Sequence, residues 1–187
     1  MRKFLIIVGI LLVLVILFLI FGRKYYTKRF SPEDHAELVD GNFEALVFYN
    51  RPFKRGREIF GGLVPYGKVW RTGANEATWF ETNKTISIQG KMLKPGRYSL
   101  WTIPNETSWQ VILNSTIPPW GIDYNSEAAR NPDTDVLVVN VPVSSTDVAV
   151  EQFTIVLSKE NNGFALDFLW DKTDVKVPFT VDSPEDK

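Results

Sequence analysis

The sequence predicts an all-β domain, an antiparallel β-sandwich or barrel-like fold of about eight or nine strands, preceded by one N-terminal transmembrane helix. Three observations carry this prediction. Residues 4–21 form an apolar run of Leu, Ile, Val and Phe broken only by Gly9. From Phe43 onward the pattern changes to short alternating runs punctuated by Gly, Pro, Asn and Asp, as half-buried antiparallel strands require. The 187 residues, 44% of them hydrophobic, are enough for one membrane segment and one core but hardly for two soluble domains.

As a helix, residues 4–21 would reach about 27 Å, close to the roughly 30 Å of a bilayer's hydrocarbon core. A cleavable signal has a shorter apolar stretch and a small-x-small cleavage site, and Phe21-Gly22-Arg23-Lys24 fits such a site poorly. An uncleaved anchor over residues 1–22 is therefore expected. Arg2 and Lys3 flank one end and Arg23, Lys24, Lys28 and Arg29 the other, so the positive-inside count leaves the side of the membrane open. Tyr25 and Tyr26 would sit at head-group level, followed by a basic stretch able to touch anionic lipid. Residues 23–41 read as a juxtamembrane linker in which Ser31-Pro32-Glu33-Asp34 resembles a short helix start. The β domain would then occupy residues 42–187.

Within that domain, Phe153, Ile155 and Leu157 fall on one face of a strand, and Phe164, Leu166, Phe168 and Trp170 on one face of the next. Asn161-Asn162-Gly163 supplies the hairpin turn between them. Lys94-Pro95-Gly96-Arg97 places Pro and then Gly where a type II turn needs them. The strand leaving it, residues 98–103, is apolar on both faces and is expected to be central, with residues 109–113 as its neighbour. Residues 136–141 and 175–181 complete the strand set, and residues 123–130 are the one helix-like stretch.

Composition excludes several chemistries. There is no Cys, which removes thiol nucleophiles, thiolate metal sites and a lipid-modified N-terminal Cys. The single histidine, His35, lies in the expected linker, so triads and zinc sites built on imidazole inside the domain are not expected. A net charge of −1 does not suit a nucleic-acid binder. Asp133 and Asp135 share a spacing seen in calcium loops, but the rest of that pattern is missing and a solvated turn is the better reading. No phosphate-binding glycine motif is present, and neither a cofactor nor a metal is expected.

Residues 51–81, RPFKRGREIFGGLVPYGKVWRTGANEATWFE, depart from strand-and-turn grammar. Glycines that permit unusual backbone alternate with Arg57, Arg71, Asn75 and Glu76 among Tyr66 and Trp70, a mixture suited to a polar ligand stacked on aromatics. The same Arg and Glu side chains would equally serve to tie down a long loop, with Arg57 or Arg71 paired to Glu58 or Glu76. Residues 51–78, the run from Lys94 through Pro104, residues 109–114 and the Trp120-Gly121 pair together resemble the bacterial family catalogued as domain of unknown function 2911. The most specific stretch is Ile59-Phe60-Gly61-Gly62-Leu63-Val64-Pro65-Tyr66-Gly67, followed by Trp70-Arg71-Thr72-Gly73-Ala74-Asn75-Glu76. The resemblance implies no activity, catalytic residue or cofactor. It does imply an exported domain, which favours the outer face of the membrane.

The leading expectation is a membrane-anchored, extracytoplasmic binding or interaction module. It would take a polar ligand, whether glycan, peptide or small molecule, through Arg57, Tyr66, Trp70, Arg71, Asn75 and Glu76. Its partners would be the lipid bilayer, through the N-terminal helix, and that ligand or an envelope protein. A second expectation is an enzyme acting on envelope carbohydrate, with Glu58, Glu76 or Glu81 as acid and base and Trp70, Trp79, Trp101 and Trp120 as stacking platforms. A third is a structural or assembly role in the cell envelope.

Overall fold

Alternating apolar side chains on successive antiparallel strands leave water most fully when two sheets close face to face. The computed structural model describes residues 2–182, with residues 19–21, 23 and 24 described by their backbone alone. Helix α1 (Arg2–Phe30) is followed by β1 (Glu33–Asp40), β2 (Phe43–Asn50), β3 (Trp79–Thr82), β4 (Ile86–Ile88), β5 (Lys91–Leu93), β6 (Gly96–Ile103) and β7 (Ser108–Asn114). A 3-10 turn (Pro132–Thr134) then leads into β8 (Asp135–Pro142), β9 (Ser144–Glu160) and β10 (Gly163–Val181). Six strands form one antiparallel sheet in the order β1-β2-β3-β6-β7-β8, and four form the other in the order β5-β4-β10-β9.

Val47, Phe80, Leu100, Val111 and Leu137 of the larger sheet share one core with Ile86, Ile155, Leu166, Phe168 and Val177 of the smaller. Two side chains, the buried Tyr49 and the half-buried Arg51, bind the sheets by more than apolar contact. The Tyr49 hydroxyl on β2 accepts from the Ile155 N–H at 3.0 Å and lies 3.4 Å from the Ile155 carbonyl on β9. Arg51, just beyond β2, donates through Nε to the Phe153 carbonyl and through its amino nitrogens to Asp34 and Thr154.

The β9–β10 hairpin forms around the expected turn, with Gly163 opposite Glu160 and Phe168 opposite Ile155. Gly163 is required there, because a Cβ would lie 2.6 Å from the Phe179 carbonyl oxygen and φ is +132°. β6 is central and buried on both faces, as its sequence predicts. Leu100 enters the main core, while Trp101 and Ile112 pack into a second, smaller cluster with Ala77. Val69, Ala128 and Ala129 pack against that second cluster.

Among the described residues the strands number ten rather than eight or nine. Residues 175–181 are not a separate strand: β10 runs through from Gly163, kinked by register shifts around Asp171, whose φ is +53°. Residues 123–130 are not helical. The Asp123 carboxylate accepts from the N–H groups of Asn125 and Glu127, and this local capping holds an irregular turn where a helix would need those amides. Residues 23–30 continue α1, and Glu33–Asp40 is the edge strand β1, paired residue for residue with β2. Only Ala36 of β1 is buried, so its pattern lacked the alternation that marks the other strands. Among the described residues no helix is long and apolar enough to cross a membrane. The expected span, residues 4–21, includes positions 19–21, whose side chains lie outside the described set.

Candidate functional site

Between β2 and β3 the chain spends residues 51–78 outside any regular strand, yet it is stiffly held. Trp70 and Thr102 exchange backbone hydrogen bonds of 2.7 and 3.0 Å, so the loop adds one bridge to β6 just beyond the end of β3. Thr72 sits at φ +52°, a region that β-branched residues avoid, and it is fully buried. Its hydroxyl lies 3.1 Å from that of Thr102, and its carbonyl accepts from Thr78 Oγ1 at 2.8 Å. The Trp70 indole N–H donates to the Gly73 carbonyl at 3.1 Å. Backbone strain of this kind, worth roughly 1–3 kcal/mol, persists only where the surroundings over-determine it, and it is enriched at ligand sites. Here it sets the direction of Trp70 and Arg71.

Those two residues line a concavity of about 470 Å³, a volume suited to a small ligand. Trp70 and Trp170 stand 5.9 Å apart, nearly parallel, on an aromatic floor that continues into Phe153 and Trp109. Arg55, Arg57 and Arg71 supply the charge, and among the described residues no carboxylate lines the space. Burial draws Arg71 below the usual arginine range, and its Nε–H has no hydrogen-bond partner. Trp170 is 1% exposed, and its Nε1–H is likewise without an acceptor. The stem of Arg71 runs against Gly121, where an added Cβ would lie 2.3 Å from Arg71 Cδ. Gly121 is itself pinned, donating to the Asn75 carbonyl and accepting from Ala129. Three guanidinium groups, one of them with an orphaned Nε–H, and the unpaired Trp170 indole N–H give the concavity donors and positive charge, with only the Ser31 and Ser126 hydroxyls as side-chain acceptors among the described residues.

The family described as protein of unknown function (DUF2911) matches residues 31–179. The chain belongs to this family. No curated protein and no solved structure matches it. The matched region starts at Ser31, directly after α1, and ends at Phe179 in β10. The family domain thus contains β1 to β9, all of β10 but its last two residues, and every part of the concavity except Phe30, the last residue of α1.

Of the six residues singled out in the sequence, the family domain brings Arg57, Trp70 and Arg71 to the concavity; Tyr66, Asn75 and Glu76 are not among its lining residues. Arg57 caps the turn before it, donating through Nε to the Lys54 carbonyl at 3.0 Å, and among the described residues neither Arg57 nor Arg71 forms an ion pair. Tyr66 is exposed and folds back over Gly61. Asn75, at φ +59°, donates to the Ser31 carbonyl at 3.3 Å, and Glu76 accepts from Asn50 at 3.1 Å and faces Lys28 at 3.9 Å. These two side chains join the end of α1 to the sheet.

The other candidate residues are dispersed. Glu58 is exposed, and Glu81 pairs with Arg97, whose guanidinium covers Trp79 at 3.9 Å. Trp101 is buried, with its indole N–H on Ser99 Oγ. Asp133 lies exposed in the 3-10 turn, but Asp135 is not part of a solvated turn: it opens β8 half-buried and accepts from Asn114 and Arg130. Arg55 and Trp170 were not singled out as site residues. Arg55 is one basic residue among several in its segment, and Trp170 reads as an ordinary inward position of β10.

Proposed function

We propose that the chain is a membrane-anchored, extracytoplasmic binding module whose concavity takes an anionic ligand. One observation carries the chemistry: the charged side chains lining the space, Arg55, Arg57 and Arg71, are all cationic, the lining Trp170 carries an unpaired indole N–H, and no carboxylate is among the described lining residues. Buried donors left unpaired cost roughly 1–3 kcal/mol each, a cost an acceptor-rich ligand removes. In a chain of net charge −1 this local basic character is not a reflection of composition. The aromatic floor adds stacking or apolar contact for the uncharged part of the ligand.

The anchor reading is supported by α1, where all the large apolar residues from Phe4 to Phe18 are exposed. An apolar surface of that extent calls for lipid or a partner rather than water. The outer-face assignment rests on the exported character that the family resemblance implies. The carboxylate-enzyme reading draws less support, since Glu58, Glu76 and Glu81 stand outside the concavity and Glu76 and Glu81 are engaged elsewhere.

Tryptophan emission of the full chain in neutral detergent, titrated with glucose 6-phosphate and with glucose, tests the ligand class. A saturable change with the phosphorylated sugar alone, lost in Arg71→Met, is expected. Equal responses to both sugars, or a response unchanged in Arg71→Met, would overturn the anionic assignment.

A further inference from the structure

We infer that the anion taken by this concavity is the phosphodiester head group of an anionic membrane lipid, drawn from the leaflet that α1 enters. The inference rests on the reading of the concavity as an anion site and of α1 as the anchor, and it narrows both.

Placement carries it first. Phe30 and Ser31 form part of the concavity wall, and the Ser31 N–H still donates to the Thr27 carbonyl at 3.1 Å, so α1 runs unbroken to the rim. The helix end is fixed there from several sides. Asn75 donates to the Ser31 carbonyl, the Arg51 N–H donates to the Pro32 carbonyl at 2.8 Å, and Lys28 pairs with Glu33. Tyr25 and Tyr26, both exposed, precede Phe30 by about one helical turn, roughly 6–8 Å along the axis. Aromatic residues at such a position sit at head-group depth, so the concavity opens onto the head groups themselves. Lys28 and Arg29 close the helix beside it, and Arg23 and Lys24 add to the basic flank in the sequence; a cluster of this kind concentrates anionic lipid.

The lining chemistry agrees. A phosphodiester accepts hydrogen bonds and donates none, matching the guanidinium groups and the Trp170 indole. Leu63, Val64, Val69 and Ile122 supply apolar wall for glycerol and the first methylenes of a chain. Phe30 and Leu63 are 40% and 45% exposed, leaving an apolar lip next to the helix over which a chain can pass. The Arg55 guanidinium, 5.0 Å from the Phe30 ring centroid, spans the gap between that lip and the interior.

A free phosphate ester offers the same charge without the chain, so the two sources separate by experiment. The full chain is placed in phosphatidylcholine nanodiscs containing a minor share of phosphatidylglycerol brominated on its acyl chains, with tryptophan emission as the readout. Brominated phosphatidylglycerol is expected to quench saturably and beyond brominated phosphatidylcholine at the same level. Binding should weaken roughly tenfold or more in Arg71→Met. Arg55→Gln, at an exposed side chain that leaves the buried packing intact, should move the same way. Glycerol 3-phosphate should compete only weakly. If glycerol 3-phosphate binds through Arg71 while the two brominated lipids quench alike, the lipid source is overturned and the anion site stands. If neither binds, both readings fail.

Discussion

Gly121 and Arg71 form a pair in which one residue's lack of a side chain makes room for the other's. With Cβ only 2.3 Å from Arg71 Cδ, Gly121→Ala must displace the arginine stem or the turn that carries position 121. Overpacking of this sort costs about 1–3 kcal/mol. Denaturant unfolding should show that loss, and anion binding should fall with it to the level of Arg71→Met. Unchanged binding in Gly121→Ala would mean that the arginine is not held by this contact. A second residue bears on stability alone. Asp167 on β10 is pushed up to about 6, first by burial and then by Asp174 and Glu160, against the opposing pull of Lys176. Its Oδ1 is buried without a partner. Because the folded state holds this proton more tightly than the unfolded chain, stability falls as pH rises from about 4 to about 6, and the full penalty persists above that. Asp167→Asn should therefore stabilise the domain at pH 7 by on the order of 1 to 2 kcal/mol and flatten the slope across that window, as read by thermal unfolding against pH. Equal stability of the two proteins at pH 7 would contradict the assignment.

At the scale of elements, the contact that most directly couples the two sheets is the Tyr49 hydroxyl on the Ile155 N–H. Burial raises the Tyr49 pKa, and Tyr49→Phe would leave that amide without its acceptor in the core. A loss of about 1–2 kcal/mol is expected, together with faster amide exchange at Ile155. Elements differ in how plainly they could be read. The β9–β10 hairpin was legible because its inward residues alternate cleanly on both sides of a Gly-ended turn. β6 was legible because apolar residues on both faces demand burial from both sides. β1 was not, because an edge strand that buries only Ala36 leaves no periodic trace in Glu-Asp-His-Ala-Glu-Leu-Val-Asp. β10 was split because Asp171-Lys172-Thr173-Asp174 looks like a polar turn, whereas the backbone absorbs it as a kink and continues pairing. The site divides along the same line. Arg57, Trp70 and Arg71 stood out from their local surroundings, while Trp170 joins them only through the fold, and Asn75 and Glu76 proved to serve the junction with α1.

Over the whole molecule, the parts are arranged in series: α1, the tie through Asn75 and Glu76, the strained Thr72 turn, and a donor-lined concavity resting on the aromatic floor of the sandwich. The ordering puts the concavity at the α1 end of the domain, because Phe30 and Ser31 line it. Under the proposed function the unpaired donors of this concavity receive an anion. The most direct measurement is the side-chain N–H spectrum of the isotope-labelled full chain during titration with inorganic phosphate, following the indole signals of the six tryptophans and the arginine Nε–H signals. Trp170 Nε1–H and Arg71 Nε–H are expected to shift saturably together, while Trp101, already bonded to Ser99, stays in place. Signals of Trp170 and Arg71 that remain fixed, or that move no more than that of Trp101, would contradict it.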